Sequence, residues 1–189
     1  MFQDLTRRLT GLLALMLLSA PVFADWALVP EQSFIYFASS KNGSITEVHR
    51  FDRFEGELDP NKQGRLSIDL SSVNTSIPIR NERMQEHLFA VEQYPEAQVT
   101  VPLYGLENGT QTVKATLELH GYSTEITTRL HVSQADDSPY LRVSTAQPIL
   151  LDAQDFGFGD GLEKLRELAA LQSISPIVPV SFFLSFEEK

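Results

Sequence analysis

The sequence predicts an all-β fold, an eight-stranded antiparallel barrel carrying two short helical insertions. Three observations lead there. Apolar and polar residues alternate along most of the chain, the period-2 pattern of strands with one dry face. Tight-turn dipeptides, rather than long connections, separate these runs. The period lengthens to that of a helix in only two places, after Thr75 and around Leu162.

Met1 to Ala24 read as a cleaved secretory signal peptide. Arg7 and Arg8 precede an apolar run from Leu9 to Leu18, and Val22 and Ala24 are small residues where a signal peptidase reads. The run falls short of the roughly 20 residues a membrane span needs. No cysteine follows it, which excludes a lipoprotein signal. Residues 25–189 are expected to form a single domain. The whole chain carries a formal charge of -10, and losing Asp4, Arg7 and Arg8 makes it -11. An acidic surface repels phosphate backbones and anionic head groups, so nucleic acid and peripheral membrane docking are disfavoured. The absence of cysteine excludes thiol catalysis, thiolate metal sites and haem attachment through cysteines.

The first strand is rich in aromatics, Phe34-Ile35-Tyr36-Phe37, and Asn42-Gly43 turns it back. A second strand is expected from Ile45 to Leu58, with Gly56 a bulge or close-packing position. Asn61 to Gly64 turns the chain into a third, where Leu66, Ile68 and Leu70 alternate with Ser67, Asp69 and Ser71. A charged helical segment follows, its stripe formed by Ile77, Met84, Leu88 and Val91. Tyr94-Pro95 returns the chain to extended form, and Val99, Val101 and Leu103 mark the fourth strand. Beyond Asn108-Gly109, alternation resumes from Val113 to Leu119, turns at His120-Gly121 and runs on through Ile126, Leu130 and Val132. Tyr140 to Leu151 read as the seventh strand. A second helix is expected near Leu162, Leu165 and Leu168, capped by Asp160 with Glu163. Val180, Phe182, Leu184 and Phe186 form one face of the last strand.

Eight sequential strands leave two unpaired edges unless the sheet closes, and closure gives an interior that side chains or one small ligand can fill. A β-sandwich competes, but no long crossover is visible. The inward faces supply the candidate cavity lining: Phe34, Tyr36, Ile68, Leu70, Val99, Val101, Leu117, Leu119, Ile126, Leu130, Val180 and Phe182.

Little else carries chemistry. His49, His87, His120 and His131 lack the spacing that puts two imidazoles on one metal. No nucleophile elbow is present, and Asp152, Asp155 and Asp160 do not have the spacing of a calcium loop. Neither a catalytic residue nor a metal ligand is assigned. Arg80, Arg83 and His87 share the charged helical segment and are candidates for meeting a ligand's polar head.

Order and spacing of several motifs resemble the YceI-like family of bacterial periplasmic lipid-binding proteins. They include Trp26, Phe51 with Phe54-x-Gly56, Asp59-Pro60, Leu66 to Thr75, and Arg80 with His87-Leu88-Phe89. Tyr94-Pro95, Leu117-x-Leu119-x-Gly121 and Asp155-Phe156-Gly157 complete the set. Two positions depart from the family's habit: Ala153 stands where arginine is common, and His49-Arg50 where a histidine–glycine pair is common. The resemblance implies a lipocalin-like barrel with an elongated apolar cavity holding an isoprenoid or similar amphipathic lipid, such as a polyprenyl chain or a quinone. Burying each methylene of such a chain contributes roughly 0.8 kcal/mol. The expected function is a periplasmic binding or carrier protein without catalysis. A small-molecule lipid is the expected partner, with no cofactor beyond that bound isoprenoid or quinone. Nucleic acid is not expected, nor stable membrane insertion after signal cleavage; a homodimer is left open. The alternatives are a stress-related interaction protein with a filled barrel and a lipid-modifying enzyme with an unrecognised site.

Overall fold

The computed structural model describes residues 26–59, 63–103 and 107–189. The expected signal peptide and the first two residues of the Asn61 to Gly64 turn lie outside the described residues, while Gln63 and Gly64 already belong to a strand.

The sheet is a closed antiparallel barrel of eight strands, three of them broken. The first consists of β1 (Trp26–Leu28) and β2 (Phe34–Lys41), interrupted by a helical turn at Pro30–Gln32. The second is split into β3 (Ile45–Phe51) and β4 (Phe54–Leu58), not continuous as the alternation suggested. At that break the amides of Asp52 and Arg53 turn to the Ser72 carbonyl and hydroxyl, which satisfies them outside the ladder. The third strand is β5 (Gln63–Asp69); after a helical turn at Leu70–Ser72, the short β6 (Val73–Asn74) pairs back onto β3. β7 (Glu96–Pro102), β8 (Gly109–Leu119) and β9 (Tyr122–Gln134) follow as a meander. The seventh strand is β10 (Tyr140–Thr145) with β11 (Ile149–Asp152), separated near Pro148, which has no N–H to give. The last, β12 (Ile177–Glu188), pairs with β10 and β11 on one side and with β1 and β2 on the other. That double pairing closes the ring.

Turn chemistry sets the register. Asn42 and Gly43 take φ of 50° and 77°, and His120 and Gly121 take 53° and 79°. Positive φ at two central residues matches the twist of the flanking strands. Gly56 keeps regular pairing with Leu66, so it is no bulge; a Cβ there would stand 3.0 Å from the Arg65 carbonyl.

Both helical insertions lie against the barrel. Pro78 opens α1 (Pro78–Arg83), where its missing N–H is harmless. The segment continues as a π-helix over Met84–Phe89, burying Met84, Leu88 and Phe89, and ends at Ala90 with φ 48°. α2 (Gly159–Leu168) begins after Phe158, not at Asp160. Asp160 sits inside the first turn, where its charge suits the helix dipole, and Glu163 binds Arg166 at 2.6 Å instead of capping. A Cβ on Gly161 would lie 2.6 Å from the His87 carbonyl, so glycine is what lets α2 touch the π-helix.

Gly161→Val should therefore force the two helical segments apart. The expected loss is about 1–3 kcal/mol, the usual range for overpacking, read from urea denaturation midpoints. An unchanged midpoint would mean that α2 can leave the π-helix without penalty.

Candidate functional site

The barrel encloses a cavity of about 540 Å³. Ligand pockets generally span roughly 300–1,000 Å³, so the interior is hollow enough for a small molecule or a lipid chain. Its wall is built from the inward positions of most strands, as the alternation requires. Ile68, Leu70, Val99, Val101, Leu117, Leu119, Ile126, Leu130, Val180 and Phe182 all line it. α2 adds Leu162 and Leu165, and the helical turn before it adds Ala153 and Phe156.

Phe34 and Tyr36 do not line it. They face outward at 42% and 38% exposure, Phe34 stacked 5.5 Å from Phe183 on the barrel's outer surface. Ile35 and Phe37 are the inward residues of β2. With four large apolar residues in a row, this strand carries no period-2 contrast, and its phase is set by pairing with β12 and β3.

Correcting that phase brings polar residues into the wall. Beyond Phe37, β2 turns Ser39 and Lys41 inward; across the hairpin, β3 turns Glu47 and His49 inward. α1 supplies Arg80, so five polar side chains gather at the hairpin end of a mostly apolar cavity, whose other polar lining residues are Arg65, Arg83, Thr128 and Ser175. Glu47 binds Lys41 and accepts from Arg80 Nη1 at 2.9 Å. Arg80 Nη2 donates to the Thr75 carbonyl at 2.7 Å, which ties α1 to the end of β6. His49, only 4% exposed, has Nε2 2.9 Å from the Ser39 hydroxyl and its ring edge-on to Phe37. Among the described residues neither His49 Nδ1 nor Arg80 Nε finds a partner, although both are buried.

Charge is strongly constrained in this cluster. The hydrogen bond from Lys41 holds Glu47 below the ordinary carboxylate range, with Arg80 adding to it against the opposing effect of burial. Burial holds the His49 pKa down, and the Arg80 guanidinium lowers it further. His49 is therefore neutral at neutral pH, while Glu47 is ionised and shared by two cations.

Of the three residues singled out for a polar head, Arg80 and Arg83 reach the cavity and His87 does not. Arg83 Nη1 donates to the Leu168 carbonyl at 3.1 Å, joining α1 to the end of α2. His87 lies beside Glu86, Nδ1 to Oε1 3.8 Å, and is not part of the lining. Lys41, Glu47, His49 and Ser39 were missed, and the alternation of β2 and β3 about Asn42-Gly43 was the signal that held them. No group of three or more histidine, aspartate or glutamate side chains that could hold a metal occurs among the described residues.

The unfolded chain takes up a proton on His49 near pH 6.5, whereas the folded chain resists it. Stability from this group is full above about pH 6.5 and is lost as pH falls through the depressed folded value. The urea midpoint should fall between about pH 7.5 and 5.5, and fall less in His49→Gln. Equal pH sensitivity in the two proteins would remove His49 as the source.

Comparison with known proteins fits this geometry. Residues 26–186 match the model of the YceI-like domain. A polyisoprenoid binding domain from Saccharophagus degradans superposes with a TM-score of 0.83 at 39% identity, covering 88% of this chain and 100% of that one. BcnA from Burkholderia cenocepacia gives 0.68 at 17% identity, over 84% of this chain and 98% of its own. The YCEI protein of Campylobacter jejuni gives 0.58 at 20% identity, over 75% and 84%. The latter two show a shared fold only. No curated protein matches the sequence. With nearly the whole described chain matched by one family model, and a barrel and a cavity as that resemblance implied, this chain belongs to the YceI-like domain family.

Proposed function

We propose that this protein is a periplasmic binding or carrier protein that sequesters an isoprenoid or similar amphipathic lipid, and that it catalyses nothing. The observation that carries this reading is the polarity of the cavity. It is apolar along most of the barrel, with Arg65, Thr128 and Ser175 as scattered exceptions, and its polar groups cluster where Ser39, Lys41, Glu47, His49, Arg80 and Arg83 gather. A ligand with a long apolar body and one polar end fits that distribution. A polyprenyl chain or a quinone has this form, and the Saccharophagus degradans relative is a polyisoprenoid binding domain. Export follows from the Arg7-Arg8 and Leu9 to Leu18 segment read as a signal peptide. A cavity of about 540 Å³ weighs against the alternative of a filled barrel acting only as an interaction surface.

The test is mass spectrometry of an organic extract from the full chain, purified without detergent from a bacterial periplasm. A polyprenyl or quinone species near one per chain is expected. Ala115 lines the cavity opposite Ile126 on the paired strand. Ala115→Trp would occupy that space, and the extracted lipid should fall about tenfold or more as lost contact area is converted to affinity. The thermal midpoint should change little. A variant that carries as much lipid as the native chain would place the ligand outside the barrel.

A further inference from the structure

The mouth of the cavity is rimmed by exposed aliphatic residues. Ile77 and Ile79 line the cavity and are yet 44% and 51% exposed, so the apolar lining runs out onto α1 without a break. On β3, Glu47, His49 and Phe51 line the cavity from alternate positions, and Ile45 continues that face one step past Glu47 at 47% exposure. Its cross-strand partner is the cavity-lining Lys41, which also bridges to Ile174. Leu168, 36% exposed, stands at the end of α2 where its carbonyl accepts from Arg83. Large aliphatic side chains scattered singly are ordinary; a set ringing one opening marks an interaction surface.

Charge at this mouth departs from that of the chain. The protein is acidic overall, at -10, but the charged residues lining this end are Lys41, Arg80 and Arg83 against Glu47 alone. Glu47 is engaged by Lys41 and Arg80. Arg83 is bonded to a carbonyl and, among the described residues, to no carboxylate. Glu82, exposed on the same helix, lies outside the lining. The acidity that disfavours membrane docking is a property of the average surface, not of this rim.

We propose that the rim of Ile45, Ile77, Ile79 and Leu168 docks on a lipid bilayer. The aliphatic residues enter the head-group region and Arg83 meets lipid phosphate, which suits a guanidinium. A lipid chain then passes between bilayer and cavity along a continuous apolar wall without crossing water. The docking is peripheral, since no described helix is long and apolar enough to cross a membrane. Its purpose rests on the lipid-carrier reading; the surface itself can be tested without it.

Ile45 and Leu168 lie outside the cavity lining, so Ile45→Glu with Leu168→Glu alters the rim alone. Native protein without residues 1–24 should float with vesicles of phosphatidylethanolamine and phosphatidylglycerol. The double variant should bind them about tenfold less or worse, the effect of replacing two inserted aliphatic side chains by charge. Ile45→Thr with Leu168→Gln carries the same test if glutamate lowers the unfolding midpoint. A fluorescent polyprenyl probe delivered from solvent should bind both proteins equally, and its transfer from vesicles should be slower to the variant. Native protein that fails to float, or a variant that floats as well, overturns docking whatever the cavity holds. Rim substitutions that instead dissociate a dimer, with no vesicle binding, also overturn it and identify a second copy as the occupant. Vesicle binding that depends on the rim, in a protein that takes up no probe, upholds docking and removes the carrier reading.

Discussion

Everything in this molecule depends on β12 being hydrogen-bonded along both edges. Its N-terminal half meets β11 and β2 and its C-terminal half meets β10 and β1, so one twelve-residue strand joins the end of the meander to its beginning. Without that pairing the sheet would have two open edges and a flat apolar face, and the chain would be a candidate for edge-to-edge association. With it, Val180, Phe182, Leu184 and Phe186 face an enclosed interior. Eight strands fix a diameter that the inward side chains do not fill, and the helical segments cover the remaining apolar surface. The cavity is thus a consequence of closure and strand number more than of any one lining residue.

Closure also accounts for the polar cluster. Ser39, Lys41, Glu47 and His49 occupy the inward phase of β2 and β3 because Ile35, Phe37 and Phe51 occupy it nearer the middle of the barrel. A carboxylate on the wall of a mostly apolar cavity needs a partner. Glu47 is held because Lys41 reaches it from the neighbouring strand β2 and Arg80 from α1, and Arg80 is in turn held by the Thr75 carbonyl. The position of α1 over the hairpin end is therefore coupled to the charge state of Glu47. Apolar packing of Met84, Leu88 and Phe89 holds the following π-helix in the same place from the other direction.

The fold was legible because the strands from Leu66 to Leu130 have clean alternation and turn dipeptides that accept positive φ. Eight lining residues followed from that pattern, and Val180 and Phe182 from the same alternation in the last strand. Two failures have a common physical origin. The Phe34 to Phe37 run offers no contrast between faces, and the choice of phase would have been decided by Ser39 and Lys41, which are polar yet inward. An interior that must contain polar groups therefore defeats the rule that polar residues face water. Strand breaks at Asp52 and Ala146 were illegible for another reason. Their amides are satisfied by the Ser72 and Arg129 carbonyls, partners remote in sequence and brought near only by the closed barrel.

The residues that make the family resemblance most visible serve the architecture of the cavity's cover. Asp152 accepts from the Gln154 amide, and Gly157, at φ 70°, lets the chain turn into α2 with Phe156 and Phe158 both buried. His120, in the β8–β9 turn, packs 4.5 Å from Tyr94 and 4.8 Å from Phe158, and its Nδ1 lies 3.0 Å from the Phe156 carbonyl. That nitrogen must carry the proton, since a carbonyl can only accept. Tyr94-Pro95, His120-Gly121 and Asp155-Phe156-Gly157 thus meet in one place and fasten the segment leading into α2 to the barrel. A different set, Lys41, Glu47, His49 and Arg80, presents charge and hydrogen-bonding groups at the hairpin end of the cavity.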